Sequence, residues 1–253
     1  MSSGSESIRV VNRAFDIIGL FSFDQPELSF AEIQEHTGLP KATVFRIIST
    51  LSQRSLLEQD INSGRYHLGY EFIKLGTVAQ SSNKLSEIAL PIMKEVSDLS
   101  KQTCNLYVKE GDERICIAQI TGSDYIHKIS FLGARHPLYC GAGKLLLAYS
   151  SDSFIEDYLS RTELKRFTEK TITDKEQLKE QLAEIRKTEI SVTLGERDQS
   201  TAMIAAPVFD YDRIVKAALT ISGPLYFFTD DNIKTYITIL RQYSRILSKK
   251  LGY

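Results

Sequence analysis

The sequence predicts an α+β protein with a winged helix-turn-helix domain over residues 1–68, a linker helix over 69–83 and an α+β domain over 84–253. Three observations favour this class. Three helix-like segments and a short hairpin open the chain, strand-like runs and helices fill the rest, and 253 residues are enough for two modest domains.

Periodicity and capping signals indicate the first two helices. Apolar residues recur at three- and four-residue steps between about residues 6 and 21. This predicts one buried face made of Ile8, Val11, Phe15 and Ile18. Ser29 and Glu32 form an S-x-x-E capping box, which predicts the start of a second, short helix that ends at Gly38.

The third predicted helix opens at Pro40 and runs to about residue 55, with an inward stripe of Val44, Ile47, Ile48 and Leu51. The segment "HTGLPKATVFRIISTLSQRSLLEQD" has three basic residues and no acid between Glu35 and Glu58. The chain nevertheless has a net charge of −1, and residues 1–80 hold seven Lys and Arg against nine Asp and Glu. The first domain is therefore polarised rather than basic, with its positive charge on the outer face of the third helix.

A hairpin is predicted after the third helix. "LLEQD" and "GRYHLG" have strand-like character and are joined by "INSG", in which Asn62 and Gly64 supply turn residues. Three helices with a Gly-containing turn before the third, followed by a hairpin, is the order of a winged helix-turn-helix. The third helix would then lie in a major groove, where phosphates repel carboxylates. The alternative is a solvated helix face that happens to be cationic.

Candidate DNA contacts follow from this geometry. Thr43, Phe45 and Arg46 are expected to approach base edges, and the two other cations of the segment to contact phosphate. Arg65 on the wing is expected to reach the backbone or the minor groove. The complete candidate set is Ser29, Lys41, Ala42, Thr43, Phe45, Arg46, Arg54 and Arg65.

Composition and spacing argue against several other function classes. The chain opens without a secretory signal pattern and has no apolar stretch approaching about 18 residues, so a cytoplasmic protein without membrane contact is expected. Cys104, Cys116 and Cys140 form no CxxC pair, and the scattered histidines lack metal-ligand spacing, so neither metal nor cofactor is expected. His136 and Cys140 have no third partner to orient a nucleophilic pair, which argues against an enzyme.

The second domain mixes strands and helices. Helix-like "LSEIALPIMKEVSDLS" precedes strand-like "CNLYVKE" and "RICIAQI", and two more strands are predicted at 203–209 and 215–222. Further helices are predicted at about 143–150, 153–160, 174–188 and 230–251. An antiparallel sheet with helices packed on it follows from this pattern.

Several of these segments are candidates for a small-ligand site. "YCGAGK" places small residues at the start of an apolar helix, so the amides of Gly141, Ala142 and Gly143 are expected to be free to receive a carboxylate. Thr220 and Ser222 alternate with apolar neighbours, so both hydroxyls point to one side of a strand and are candidates to complete the site. The alternative is that they are ordinary strand residues. The loop "TLGERDQS" is interpreted as solvated, with Glu196 as its best functional candidate.

These segments resemble one known family. "LSFAEIQEHTGLPKATVFRIISTLSQRSLLEQDINSGRYHLGYEFIKLG" is similar to the N-terminal domain of the IclR (isocitrate lyase regulator) family of bacterial transcription factors. "GARHPLYCGAGKLLLA", "MIAAPVFD" and "LTISGP" resemble the effector domain of that family. The resemblance implies a GAF-like second domain whose effector contacts are Asn105, Tyr139, Gly141, Ala142, Met203, Thr220 and Ser222. Met203 and Thr220 would make a less polar pocket than cysteine and serine would at these two positions. An effector with an apolar or aromatic body and an acidic end is therefore favoured.

The combined prediction is a transcriptional regulator that binds double-stranded operator DNA and responds to a small organic acid. Repression of a catabolic operon is the commoner family behaviour, and activators share these motifs. The main alternative is a non-DNA-binding sensor or adaptor that uses the winged domain for protein contacts. One recognition helix per chain predicts a homodimer joined through the linker helix, and the family adds a dimer of dimers.

Overall fold

A computed structural model of the chain describes residues 8–123 and 131–253. It divides into two compact units, Met1–Ser82 and Asn83–Tyr253. The observed division places the linker helix in the first unit. The predicted start of the first helix, at about residue 6, lies outside the described residues.

The first unit is a small helical domain with a three-stranded sheet. Its elements are α1 (Arg9–Ile18), β1 (Glu27–Leu28), α2 (Phe30–Thr37), α3 (Lys41–Gln53), β2 (Leu57–Gln59), β3 (Tyr66–Leu68) and α4 (Glu71–Ser81). The strands pair antiparallel in the order β1-β3-β2. The predicted hairpin is therefore confirmed, and β1 was missed because two residues are too short for a recognisable strand pattern.

Local signals explain the ends of α2 and the packing of α3. The Ser29 amide donates to Glu32 Oε2 at 2.7 Å, and the Glu32 amide donates to Ser29 Oγ at 3.3 Å, so the capping box is confirmed. Gly38 ends α2 in the left-handed region at φ 62°. The predicted stripe of α3, Val44, Ile47, Ile48 and Leu51, is buried against Ile17, Leu28 and Ile33.

The predicted buried face of α1 is wrong for three of its four residues; the fourth, Ile18, is half-buried against the core of the unit. Ile8, Val11 and Phe15 are 67%, 45% and 65% exposed, and Ile17 is the buried residue of this helix. Apolar residues occupy more than one side of α1, and the core of the unit contacts only the side that carries Ile17 and its half-buried neighbours. Periodicity identified an amphipathic helix but not which side packs.

The second unit is an α+β domain built on a six-stranded antiparallel sheet. Its helices are α5 (Lys84–Ser100), α6 (Gly143–Ala148), α7 (Asp152–Arg161), α8 (Lys175–Thr188) and α9 (Asp230–Lys250), with a 3-10 turn at Leu225–Phe227. Its strands are β4 (Thr103–Glu110), β5 (Glu113–Ile120), β6 (Arg135–Pro137), β7 (Ser191–Leu194), β8 (Thr201–Phe209) and β9 (Val215–Pro224), in the order β6-β5-β4-β9-β8-β7. The predicted α+β class and its four long strands are confirmed.

Helices cover both faces of this sheet. α5 and α9 pack on the face that carries Cys104 and Leu106, while α6, α7 and α8 pack on the face that carries Tyr107 and Met203. Successive residues of a strand point to opposite faces, so Asn105 lies on the same face as Tyr107. We call this second side the α6–α8 face. It holds the candidate ligand residues.

Candidate DNA interface and ligand site

The outer face of α3 is exposed and free of acidic residues. Lys41, Ala42, Phe45 and Arg46 are all exposed, with Phe45 at 64%, and Thr43 beside them is half-buried. The Phe45 ring offers apolar surface to a partner on this face, and its burial would remove that surface from water. The predicted base-reading residues therefore stand together on one accessible face, with the buried stripe of the helix opposite.

The remaining DNA candidates lie at the end of α3, at the start of α2 and on the wing. Arg54 caps the C-terminal end of α3 and is exposed, whereas Ser29 is half-buried and is engaged in the capping box of α2. On the wing, Arg65 Nη2 donates to Glu32 Oε2 at 2.8 Å and to the Glu27 carbonyl at 3.1 Å. Hydrogen bonds from Ser29 and then from Arg65 lower the pKa of Glu32 to about 2. Arg65 thus anchors the wing to α2, a structural role that the sequence did not reveal.

A buried polar row crosses the α6–α8 face of the second unit. Asn105 and Ser222 are fully buried, and Asn105 Nδ2 donates to Ser222 Oγ at 2.9 Å. Thr220 is also fully buried and donates to the Asn105 carbonyl at 3.3 Å, while Met203 pairs directly with Ser222. Four of the predicted effector residues are thereby brought together on three adjacent strands.

Gln119 extends this polar row and was not predicted. Its Nε2 donates to Asn105 Oδ1 at 2.8 Å. A register shift between Leu106 and Tyr107 places Ala118 and Cys116 opposite them, so one residue of β5 is unpaired. Because this bulge reverses the alternation of side chains along β5, Gln119 lies on the same face as Cys116. The sequence contains no pattern that predicts the bulge.

The prediction of free amides in "YCGAGK" is wrong for two of the three residues. The Gly141 amide donates to Glu196 Oε2 at 2.9 Å, and the Gly143 amide donates to the Cys140 carbonyl at 3.2 Å. The carboxylate expected from a ligand is therefore supplied at Gly141 by the protein itself. Gly141 adopts φ 56°, which favours glycine at this position.

Glu196 and Lys144 form a buried ion pair at this loop. Lys144 Nζ lies 2.5 Å from Glu196 Oε1, with the two side chains 2% and 6% exposed, and it also donates to Gln181 Oε1 at 2.6 Å. The Thr171 hydroxyl donates to the Glu196 carbonyl at 2.7 Å. The interpretation of "TLGERDQS" as a solvated loop is wrong for Glu196, because the partners of its carboxylate lie more than 50 residues earlier in the chain. The first two residues of this segment belong to β7.

Tyr139 and Ala142, the other two predicted effector residues, are packed in the core of the α6–α8 face. The Tyr139 hydroxyl donates to the Lys165 carbonyl at 3.2 Å, and its ring stacks on Phe167 with centroids 6.1 Å apart. Both the ring and the hydroxyl of Tyr139 are thus engaged within the protein.

His136 and Cys140 do not form a nucleophilic pair. Burial raises the pKa of the Cys140 thiol, which disfavours the thiolate. The His136 ring faces Arg197, with Nε2 2.8 Å from Arg197 Nη1. Within residues 8–123 and 131–253, no group of three or more His, Cys, Asp or Glu residues is placed to hold a metal ion, and no helix there is long and apolar enough to span a membrane.

Family comparisons match both units. A family model described as "Bacterial transcriptional regulator IclR C-terminal" matches residues 77–249, and one described as "IclR helix-turn-helix domain" matches residues 10–60. The chain belongs to the IclR family. This membership makes it a DNA-binding transcriptional regulator with a C-terminal effector-binding domain, and it confirms the predicted family.

IclR-family relatives match along nearly the whole chain. The HTH-type transcriptional regulator KipR of Bacillus subtilis (strain 168) is 30% identical over 246 residues, which cover 97% of this chain and 98% of KipR. KdgR of Escherichia coli (strain K12) is 30% identical over 249 residues, which cover 98% of this chain and 94% of KdgR.

Solved structures of IclR proteins share the fold. The IclR transcriptional regulator from Alicyclobacillus acidocaldarius is 26% identical, with a TM-score of 0.85 and coverage of 96% of this chain and 98% of that chain. An IclR homologue from Microbacterium hydrocarbonoxydans, complexed with 4-hydroxybenzoate, is 23% identical, with a TM-score of 0.82 and coverage of 96% and 99%. At that identity the second likeness supports the fold alone.

Proposed function

We propose that this IclR-family regulator represses a catabolic operon and that a small organic acid, bound in the second unit, lowers its affinity for operator DNA. The observation that carries the proposal is the exposed, acid-free outer face of α3 within a winged helix-turn-helix. Such a face suits the major groove, where cations gain from phosphate and carboxylates are repelled.

Base reading and phosphate contact divide over this face. Arg46 carries a planar fork that matches the acceptor edge of guanine, and Phe45 and Thr43 offer apolar contact to thymine methyl groups. Lys41, at the first turn of α3, is a point charge suited to phosphate. Arg65 contributes first by fixing the wing, because its guanidinium is already paired with Glu32.

The effector half of the proposal rests on the buried polar row. Asn105, Thr220 and Ser222 are polar side chains with no exposure, on a sheet face whose packed core is largely apolar. Polar groups at such positions suit the recognition of a small ligand with an apolar body. The relative from Microbacterium hydrocarbonoxydans was crystallised with 4-hydroxybenzoate, an aromatic acid, and relatives 28% identical to this chain are named as transcriptional repressors.

A homodimer, or a dimer of dimers, completes the proposal. α4 has no buried residue, and Ile73, Leu75 and Val78 on it are 65%, 48% and 56% exposed. Burying these side chains against a second copy would remove apolar surface from water and pair two recognition helices at half-sites roughly 10 bp apart. The proposed regulator works in the cytoplasm and has no enzymatic activity.

Retention of genomic fragments tests the DNA-binding function against the adaptor alternative. Sequencing the fragments that the purified protein retains gives the operator, and its affinity is then measured as salt rises. A protein that makes 6–10 phosphate contacts loses about 10³–10⁵ in affinity between roughly 50 and 200 mM salt. An adaptor retains no specific fragment and has no duplex affinity to lose, which would refute the proposal.

A further inference from the structure

Arg114 is a charged side chain in the interior of the second unit. It is 2% exposed and lies on β5, on the α6–α8 face. Its Nη1 donates to the Pro137 carbonyl at 3.0 Å and to the Cys140 carbonyl at 2.5 Å, and its guanidinium carbon lies 5.3 Å from the centroid of the Tyr107 ring. Its buried Nε has no hydrogen-bond partner among the described residues. One donor of this cation is therefore unsatisfied.

The charge around Arg114 is also unbalanced. Across the described parts of the chain, no carboxylate lies within 4.0 Å of the Arg114 or Arg197 guanidinium. Glu196, the carboxylate at the neighbouring loop, is already paired with Lys144. A buried cation is costly unless an anion or several acceptors compensate it. Within the described residues, the charge of Arg114 is met by two carbonyl groups and the Tyr107 ring and by no carboxylate, which leaves room for an anionic partner in the charge balance.

His136 lies close to the same two arginines and is affected by their positive charge. It lies directly opposite Arg114 in the β5–β6 ladder, and its ring contacts Arg197. Burial, followed by the charges of Arg114 and Arg197, lowers the pKa of His136 to about 3. The ring is consequently neutral at pH 7 and accepts a hydrogen bond from Arg197, so that two guanidinium groups flank an uncharged imidazole.

The Arg114 guanidinium packs against Gly141. A Cβ built on Gly141 would lie 3.0 Å from Arg114 Nη2, a tight contact that would require the guanidinium to shift. The guanidinium therefore faces the bare backbone of this loop. The polar row that contains Asn105 lies on the same sheet face, and Tyr107 stands two residues farther along β4, between that row and Arg114.

We propose that Arg114, assisted by Arg197, holds the carboxylate of the effector beside Gly141, and that the polar row contacts the other end of the ligand. This inference rests on the proposed effector response. A guanidinium binds a carboxylate through two parallel N–H···O bonds, which fixes orientation as well as charge. The ligand class is a monocarboxylate whose apolar or aromatic body lies along the face that carries Tyr107.

Matched acids and amides test the charge requirement. Calorimetry on the full chain uses benzoate, 4-hydroxybenzoate and lactate beside their primary amides, at up to about 10 mM, where a millimolar Kd is measurable. The variants are Arg114→Gln, Arg114→Lys and Arg197→Gln. Arg135→Gln is the control, because Arg135 lies next to His136 on β6 but is 51% exposed and paired with Glu110 and Glu113.

The parent is expected to bind at least one acid about tenfold or more tightly than its amide. Arg114→Gln should abolish this discrimination, Arg114→Lys should retain part of it, and Arg197→Gln should weaken acid binding by about three- to tenfold. Arg135→Gln should bind as the parent does. If Arg114→Gln fails to fold, the test depends on the acid affinity of Arg197→Gln, because Arg197 is exposed and its replacement is expected to leave the fold intact.

Two results would overturn the anion site: no acid binding by the parent, or equal acid affinity in the parent, Arg114→Gln and Arg197→Gln. Operator binding is measured on the same samples with and without acid. If acids bind through Arg114 but leave operator affinity unchanged, the proposed effector response fails and the site stands. If acids shift operator affinity equally in every variant, the response stands and the Arg114 assignment fails.

Discussion

Glu196→Gln tests whether the buried ion pair holds the loop that begins α6. Lys144 and Glu196 are nearly inaccessible to water, and the same carboxylate accepts from the Gly141 amide. Removing one partner of a buried pair leaves an uncompensated charge and costs about 3–5 kcal/mol. Glutamine keeps an acceptor for Lys144 or for Gly141, so the lower end, about 3 kcal/mol, is expected.

Urea unfolding of the full chain, followed by hydrogen exchange in peptides of the second unit, measures this loss and reports the Gly141 amide directly. Glu156→Gln is the control, because it breaks an ion pair with Lys179 in which the glutamate is 63% exposed; it should leave the midpoint unchanged. Lys144→Met combined with Glu196→Gln should cost less than Glu196→Gln alone, because no buried charge is then left unpaired. Equal midpoints for Glu196→Gln and the Glu156→Gln control would refute the reasoning.

Three further predictions concern the first unit. Arg46→Ala should cost about 1–3 kcal/mol of operator affinity and relax one base preference, whereas Lys41→Ala should weaken all sequences alike; equal, sequence-independent losses measured on an operator library would contradict this division. Val78→Glu should yield a monomeric mass in light scattering with operator affinity reduced about tenfold or more, because a charge would be buried in the α4 contact; an unchanged oligomer would exclude α4 from it. Glu32 is stabilised in its charged form, so its contribution to the capping box is complete above its ordinary pKa of 4.5 and is lost as pH falls through about 2; a Ser29 amide signal titrating near 4.5 by NMR would disprove the coupling to Glu32.

Local chemistry explains what the sequence predicted well. The capping box at Ser29, the left-handed Gly38 and the α3 stripe depend on residues within one or two turns of each other, so the chain carries their signals in adjacent letters. The outward face of Arg46 follows from the stripe opposite it. The hairpin was recognisable because Gly64, at φ 68°, supplies a turn residue that other side chains rarely replace.

Long-range chemistry explains what was missed. The Gly141 amide looked free because its acceptor, Glu196, lies 55 residues away. Arg114 reads as a surface residue in "ERICIAQI", and only the pairing of β5 with β4 and β6 places it inside. Gln119 was hidden by the bulge between the registers of Leu106 and Tyr107, which no alternation of apolar and polar letters records.

Glu196→Gln also separates two anchors for an effector carboxylate. If the carboxylate bound the Gly141 amide, it would have to displace Glu196, so removing that competing charge should tighten acid binding about tenfold or more. If Arg114 is the anchor, the Gly141–Glu196 contact stays in place and Glu196→Gln should change the Kd for benzoate by less than about threefold. Calorimetry with benzoate on the parent and Glu196→Gln, at urea-free conditions where both are folded, measures the difference. Tightening by tenfold or more would show that the effector carboxylate binds the Gly141 amide and not Arg114, because Glu196 and the effector would then compete for the same N–H group.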